Sequence, residues 1–170
     1  MRFSATTGLV GLIIFALTAC SQAPDKAAEE VAPDGPTAAA VDAERLTQAA
    51  GDGANWMSYG RTYDEQRHSP LTQITADNVG DLGLAWSFDL DSTRGVEATP
   101  LVIDGVMYTT STWSIVYALD AKTGELLWEY DPDVPKSWGA YACCDVVNRG
   151  VAAWEGKLFL GALDGRLIAL

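Results

Sequence analysis

The chain has 170 residues, 48% of them hydrophobic and 20% charged, and a formal net charge of −12. Its length sets a prior of one domain with a tail, and its acidity argues against any partner held through a phosphate backbone, so nucleic acid is not expected. Three cysteines and one histidine, His68, offer no Cys-x-x-Cys or Cys/His spacing for zinc, and a Ser/His/Asp triad or a His-rich metal site is hard to build from them.

Residues 1–19 read as an export signal. Arg2 supplies a positive start, and residues 8–19 (GLVGLIIFALTA) form an apolar run. That run is shorter than the ~20 apolar residues a membrane span needs. It ends in Leu17-Thr18-Ala19-Cys20, which resembles a bacterial lipobox, with cleavage before Cys20 and a lipid on its sulfur. An ordinary secretory signal with an incidental cysteine is the plainer alternative. Lipid on the sulfur together with an acylated amine would give stable anchoring. The expected location is therefore the periplasm, lipid-anchored to a bacterial membrane, and Ser21 in place of Asp favours the outer one. Residues 20–50 are rich in Ala, Pro, Asp, Glu and Gly and are expected to be a disordered tether. Within it, residues 42–50 (DAERLTQAA) are compatible with a short helix leading into the fold. The folded part is expected over residues 51–170.

That part reads as β. Short apolar and β-branched runs alternate with Asp-Gly, Glu-Gly and Thr-Gly turns. Residues 100–108 (PLVIDGVMY) predict two strands around an Asp-Gly hairpin turn, and residues 151–160 (VAAWEGKLFL) predict the same around Glu155-Gly156. The two segments align at an offset of 51 residues, pairing Met107 with Leu158, Tyr108 with Phe159, Val116 with Leu167 and Leu119 with Leu170. Four short strands in a period of ~40–50 residues are the mark of a propeller blade, and a closed propeller needs at least ~4 blades. About two are expected here, the second cut at Leu170 inside a strand. The fold class is thus all-β, a partial β-propeller.

After the first copy comes Ala118-Leu119-Asp120-Ala121-Lys122-Thr123-Gly124, followed by Trp128. This pattern resembles the tryptophan-docking motif of quinoprotein propellers, in which the indole packs between blades. Trp86 stands in an equivalent earlier position. Both are structural in this reading, since a large aromatic surface is buried and its N–H needs a partner. The adjacent Cys143 and Cys144 are the most specific feature. From the residues alone they are either unpaired structural thiols or a strained small disulfide ring.

The segment Cys143-Cys144-Asp145-Val146-Val147-Asn148-Arg149-Gly150 resembles the Cys-Cys-x-x-x-Asn-Arg-Gly run of the pyrroloquinoline quinone (PQQ)-dependent methanol and ethanol dehydrogenases. Glu97-Ala98-Thr99-Pro100 resembles the family's Glu-x-x-Pro strand. Asn55-Trp56, Tyr59-Gly60 and Arg67-His68-Ser69-Pro70-Leu71 look like its opening segment, with His68 in place of an aromatic. The resemblance implies an eight-bladed propeller. It also implies a Cys143–Cys144 disulfide that forms one wall against the PQQ plane, Arg149 on a cofactor carboxylate, and Glu97 in the same polar cluster. The bland alternative for Glu97 and Arg149 is a structural ion pair.

The implied reaction is oxidation of a small primary alcohol to its aldehyde, with electrons passing to a cytochrome c or a heme domain. A calcium or lanthanide ion is implied as well. Its ligands and the catalytic base are expected beyond this chain, so no catalytic or metal residue is assigned and the chain alone is expected to be inactive. A propeller lipoprotein acting as a non-enzymatic outer-membrane scaffold would share the lipobox and the tryptophan repeat, but it has no use for the cysteine pair and Arg149.

Overall fold

In the computed structural model, which describes residues 39–170, strand β1 (Leu101–Ile103) turns through Asp104 and Gly105 into β2 (Val106–Thr110). Both turn residues have positive φ, +51° and +84°. That left-handed pair matches the right-handed twist of the flanking strands, which is why Asp-Gly is selected there. Strands β3 (Val116–Asp120) and β4 (Leu126–Tyr130) complete an antiparallel sheet in the order β1-β2-β3-β4. Leu101 and Ile103 face inward with Tyr108 and Thr110, and β3, paired on both sides, is buried along most of its length.

The second sheet repeats the first. Strands β5 (Ala152–Trp154), β6 (Lys157–Gly161) and β7 (Leu167–Ala169) are antiparallel in that order. Glu155 and Gly156 again have positive φ, +47° and +77°. Leu101 and Ala152, Val106 and Lys157, and Val116 and Leu167 open corresponding strands, each pair 51 residues apart. The repeat predicted from the sequence is therefore a repeat of structure. One hydrophobic cluster joins the two sheets: Leu101, Ile103, Tyr108 and Ala118 from the first meet Ala153 and Leu158 from the second. Fully burying a side chain such as Leu101 or Ile103 contributes about 1.5–3 kcal/mol.

The amino-terminal boundary differs from expectation. Residues 39–50 belong to the fold, not to a tether. Helix α1 (Ala43–Gln48) is capped by Asp42, whose carboxylate accepts from the Arg45 N–H at 2.8 Å. Arg45 then grips the Asp104 carboxylate with both guanidinium nitrogens, at 2.9 and 2.8 Å. Val41 is fully buried, and its carbonyl accepts from Glu155 N–H at 2.7 Å; the Ala39 carbonyl accepts from Gly156 N–H at 3.2 Å. The segment thus straddles both hairpin turns. Its average composition resembles a linker, but the few apolar side chains it carries fall on the seam between the sheets. The export signal, Cys20 and residues 20–38 of the expected tether lie outside the described residues.

Trp56 makes a two-way bridge with Val102, N–H to carbonyl at 2.7 and 3.0 Å, and so extends the first sheet beyond β1. Residues 82–90 form no strand, yet Trp86 is firmly seated. Its Nε1–H donates to the Ala121 carbonyl at 3.2 Å, and its indole lies on Gly124. The turn beneath is fixed by Asp120, whose Oδ1 accepts from the Lys122 and Thr123 amides and the Thr123 hydroxyl. These bonds favour the charged carboxylate and lower its pKa, the Thr123 amide most. Trp128 on β4 packs on Tyr108, ring centroids 6.0 Å apart. Trp86, half-buried with its N–H bonded, is thus structural as its sequence context suggests, whereas Trp128 packs on Tyr108 but remains 37% exposed.

Candidate cofactor-binding site

The segment between β4 and β5 carries the cysteines, and it is held from below. Its 3-10 helix, Lys136–Tyr141, lies over the indole of Trp113. Lys136 Nζ sits 4.1 Å from that ring's centroid, and a Cβ on Gly139 would come 3.1 Å from Cη2. The Trp113 amide donates to the Val146 carbonyl at 2.9 Å, and Val146 is buried. Asp145, at φ +65°, pairs with Arg94. Cys143 and Cys144 therefore stand on an exposed bend whose two ends are pinned.

Arg149 and Glu97 come together because two backbones approach closely. Gly150 has φ +117°, and a Cβ there would lie 3.0 Å from the Thr99 carbonyl oxygen. Only glycine fits that conformation and that gap. The Thr99 amide donates to the Arg149 carbonyl at 3.3 Å, so residue 149 is drawn alongside the strand that carries Glu97. The side chains meet at 3.2 Å, Arg149 Nη2 to Glu97 Oε2, with Arg149 72% exposed and Glu97 46% exposed. Such an open ion pair contributes about 0–1 kcal/mol, so it is easily exchanged for another carboxylate.

Cys143 and Cys144 carry their sulfurs 2.8 Å apart, against the ~2.05 Å of a covalent bond. A trans peptide holds neighbouring Cα atoms at ~3.8 Å, shorter than the usual disulfide range, so closing the ring requires the local backbone to adjust. The Cys144 thiol has a raised pKa. The hydrogen bond with Cys143 is the main cause and that neighbour's charge adds to it; Arg149 opposes the rise and Glu97 reinforces it. All four sequence-predicted residues thus belong to one electrostatic cluster. A raised thiol pKa keeps the thiolate scarce near neutrality. After reduction, alkylation of Cys144 by iodoacetamide should lag at neutral pH and keep climbing above the ~8.5 midpoint of an ordinary thiol. Peptide mass spectrometry across a pH series reads this, and a midpoint at or below the ordinary value would contradict the coupling.

Trp113, Ser114 and Arg94 also belong to the cluster and stand in no quoted motif, while Asn148 and Asp145 stand in the cysteine run with no role assigned from the sequence. One signal was available. The 51-residue alignment sets Ser114 opposite Gly165, and both positions are left-handed, at φ +63° and +87°. His68 is exposed and stands apart from the cysteine cluster. Among the described residues no group of three His, Cys, Asp or Glu side chains gathers as a metal site.

Antiparallel sheets repeated every 51 residues, with the Trp86 indole seated on the glycine turn between β3 and β4, have the architecture of a β-propeller. The family model described as "PQQ: Glucose/ethanol/alcohol dehydrogenase, beta-propeller domain" matches residues 56–170, and the chain belongs to that family. It is 61% identical over 130 residues to the quinohemoprotein alcohol dehydrogenase ADH-IIG of Pseudomonas putida, covering 76% of this chain and 18% of that protein. The solved structure of ADHIIG superposes with a TM-score of 0.78 over 80% of this chain and 20% of that one. A 1-butanol dehydrogenase (cytochrome c) of Thauera butanivorans is 60% identical over 118 residues, covering 69% of this chain and 17% of that protein. A europium-containing methanol dehydrogenase superposes at 0.69 with 42% identity, over 75% of this chain and 23% of that one. The chain therefore spans about a fifth of the length of these relatives.

Proposed function

We propose that this chain forms the amino-terminal part of the propeller of a PQQ-dependent dehydrogenase that oxidises primary alcohols to aldehydes. The observation that carries the reading is the meeting of Cys143, Cys144, Glu97 and Arg149 on one exposed edge, held by a glycine contact that tolerates no side chain. The residues fit the group. PQQ is a planar polyacid and needs a flat face together with a cationic fork. The cysteine pair offers the face, and Arg149 offers a guanidinium whose partner Glu97 is weakly held. Oxidation to a disulfide would draw the sulfurs in by ~0.8 Å and make the face rigid.

When bound, the quinone supplies the hydride-accepting carbon. The roles left to these residues are binding and orientation. Arg149 donates N–H bonds to a cofactor carboxylate, Glu97 keeps the guanidinium aimed, and the sulfurs exclude water from one side. A calcium or lanthanide ion, held by residues beyond these, completes the proposed site. The europium in one relative supports a metal of this kind. Electrons pass to a cytochrome c or a covalently attached heme. The cytochrome c in the name of one relative and the quinohemoprotein nature of another support that route. Lipidation at Cys20 would hold the enzyme on the periplasmic side of a bacterial membrane, the outer one favoured by Ser21.

The test is reconstitution of the full-length protein with PQQ and calcium or a lanthanide. The expected result is a bound-quinone absorbance and dye reduction that depends on a primary alcohol. Absence of both, with either metal, would refute the proposal.

A further inference from the structure

Asn148 precedes Arg149, and its side chain bonds the residue that follows Arg149 and two points elsewhere in the fold. Its Oδ1 accepts from the Gly150 amide at 3.0 Å. Its Nδ2 donates to Ser114 Oγ at 3.1 Å and to the Gly161 carbonyl at 3.0 Å. The amide can sit only this way round, because a carbonyl accepts and an N–H donates. Ser114 is 1% exposed, at φ +63°, and its Oγ accepts a second bond from the Leu163 amide at 3.1 Å. One hydroxyl at the turn between β2 and β3 thus ties the first sheet to two points: the loop after β6, and the residue just before Arg149.

Arg149 has a largely exposed side chain on a backbone pinned at three places. Asn148 holds it on one side, Gly150 is wedged against Thr99 on another, and the Thr99 amide bonds its carbonyl. A side chain that must meet a rigid planar anion gains affinity when its base is fixed beforehand, because less freedom is lost on binding.

We propose that Asn148, seated on Ser114, is a positioning residue that sets the direction of Arg149 for the quinone cofactor. This inference rests on the PQQ reading above. Asn148 touches no reacting atom and acts only through its neighbour.

The test uses the full-length apoprotein titrated with PQQ, binding being read from quenching of tryptophan fluorescence. Asn148→Ala removes three hydrogen bonds at the base of the arginine and should weaken PQQ binding about tenfold. Ser114→Ala should do nearly as much from the other side of the contact. It serves also as the second variant, should Asn148→Ala fail to fold. Asn148→Asp keeps the acceptor for Gly150 but sets a carboxylate against the Gly161 carbonyl, so it should not rescue. In an Arg149→Ala background, the further loss from Asn148→Ala should fall below about twofold, since residues that act as a unit are not additive. A merely structural asparagine would lower the thermal midpoint of both backgrounds alike and leave the two binding losses to multiply. That multiplication overturns the proposal, as does wild-type affinity in folded Asn148→Ala and Ser114→Ala proteins. Failure of the wild-type protein to bind PQQ would overturn this inference together with the functional reading beneath it.

Discussion

Gly124→Ala should lower the stability of the propeller by about 3–4 kcal/mol, although it adds a single methyl group. The left-handed backbone accounts for part of this. At φ +75°, an L side chain costs roughly 1–2 kcal/mol relative to glycine. The larger part comes from Trp86. A Cβ at position 124 would lie 2.4 Å from Cε3 and 2.6 Å from Cδ2 of its indole. The ring cannot slide aside cheaply, because its Nε1–H is bonded to the Ala121 carbonyl three residues back in the same turn. Removing the indole separates the two contributions. In a Trp86→Ala background, Gly124→Ala should cost only the backbone share, so the double-mutant cycle should show strong coupling. Trp86→Phe keeps an aromatic ring and loses the donor, at about 1 kcal/mol. Thermal and urea midpoints of the full-length protein, with proteolytic susceptibility of residues 58–100, measure the single and double variants. Equal losses from Gly124→Ala with and without Trp86 would show that the turn does not carry the indole.

That contact also shows how much of the architecture could be read from the sequence. Asp104-Gly105 and Glu155-Gly156 announce themselves because a two-residue hairpin turn needs positive φ at both positions and few residue pairs tolerate it. The 51-residue period was legible because each blade must bury one face against the next, so the same apolar positions recur. Trp86 and its glycine turn belong to the same logic. Residues 39–50 did not yield to it. Val41 and Leu46 are too few to shift the composition of an Ala- and acid-rich stretch, yet their burial between two hairpins decides its fate. The identities in the candidate site were legible from Cys143, Cys144, Arg149 and Glu97. Their support was not. A serine held at φ +63° that accepts from an asparagine thirty-four residues away leaves no local pattern, because the partners are brought together by the stacking of two sheets. The redox state of the cysteine pair is likewise a matter of geometry and chemical surroundings, and adjacency alone could not decide it.

Arg149→Ala should weaken PQQ binding to the full-length apoprotein roughly thirtyfold or more, by removing a charge-assisted fork from a carboxylate. Arg149→Lys is the more telling variant. An ammonium keeps the charge but loses the planar pair of parallel donors. If long-range attraction of an anion were the whole role, lysine would restore nearly all the affinity. If the fork matters, lysine should recover only a small part, and raising the salt concentration should narrow the gap between Lys and Ala without closing the gap between Arg and Lys. Glu97→Gln completes the set. Glutamine retains a hydrogen-bond acceptor within 3.2 Å reach of the guanidinium while removing a negative charge that competes with the incoming carboxylate. Affinity should then hold or rise slightly, whereas Glu97→Ala frees the guanidinium to wander and should lose affinity. A Glu97→Gln protein that binds as poorly as Glu97→Ala would show that the carboxylate's charge matters beyond aiming Arg149, and would move Glu97 from orienting the clamp to direct contact with the bound group or its metal.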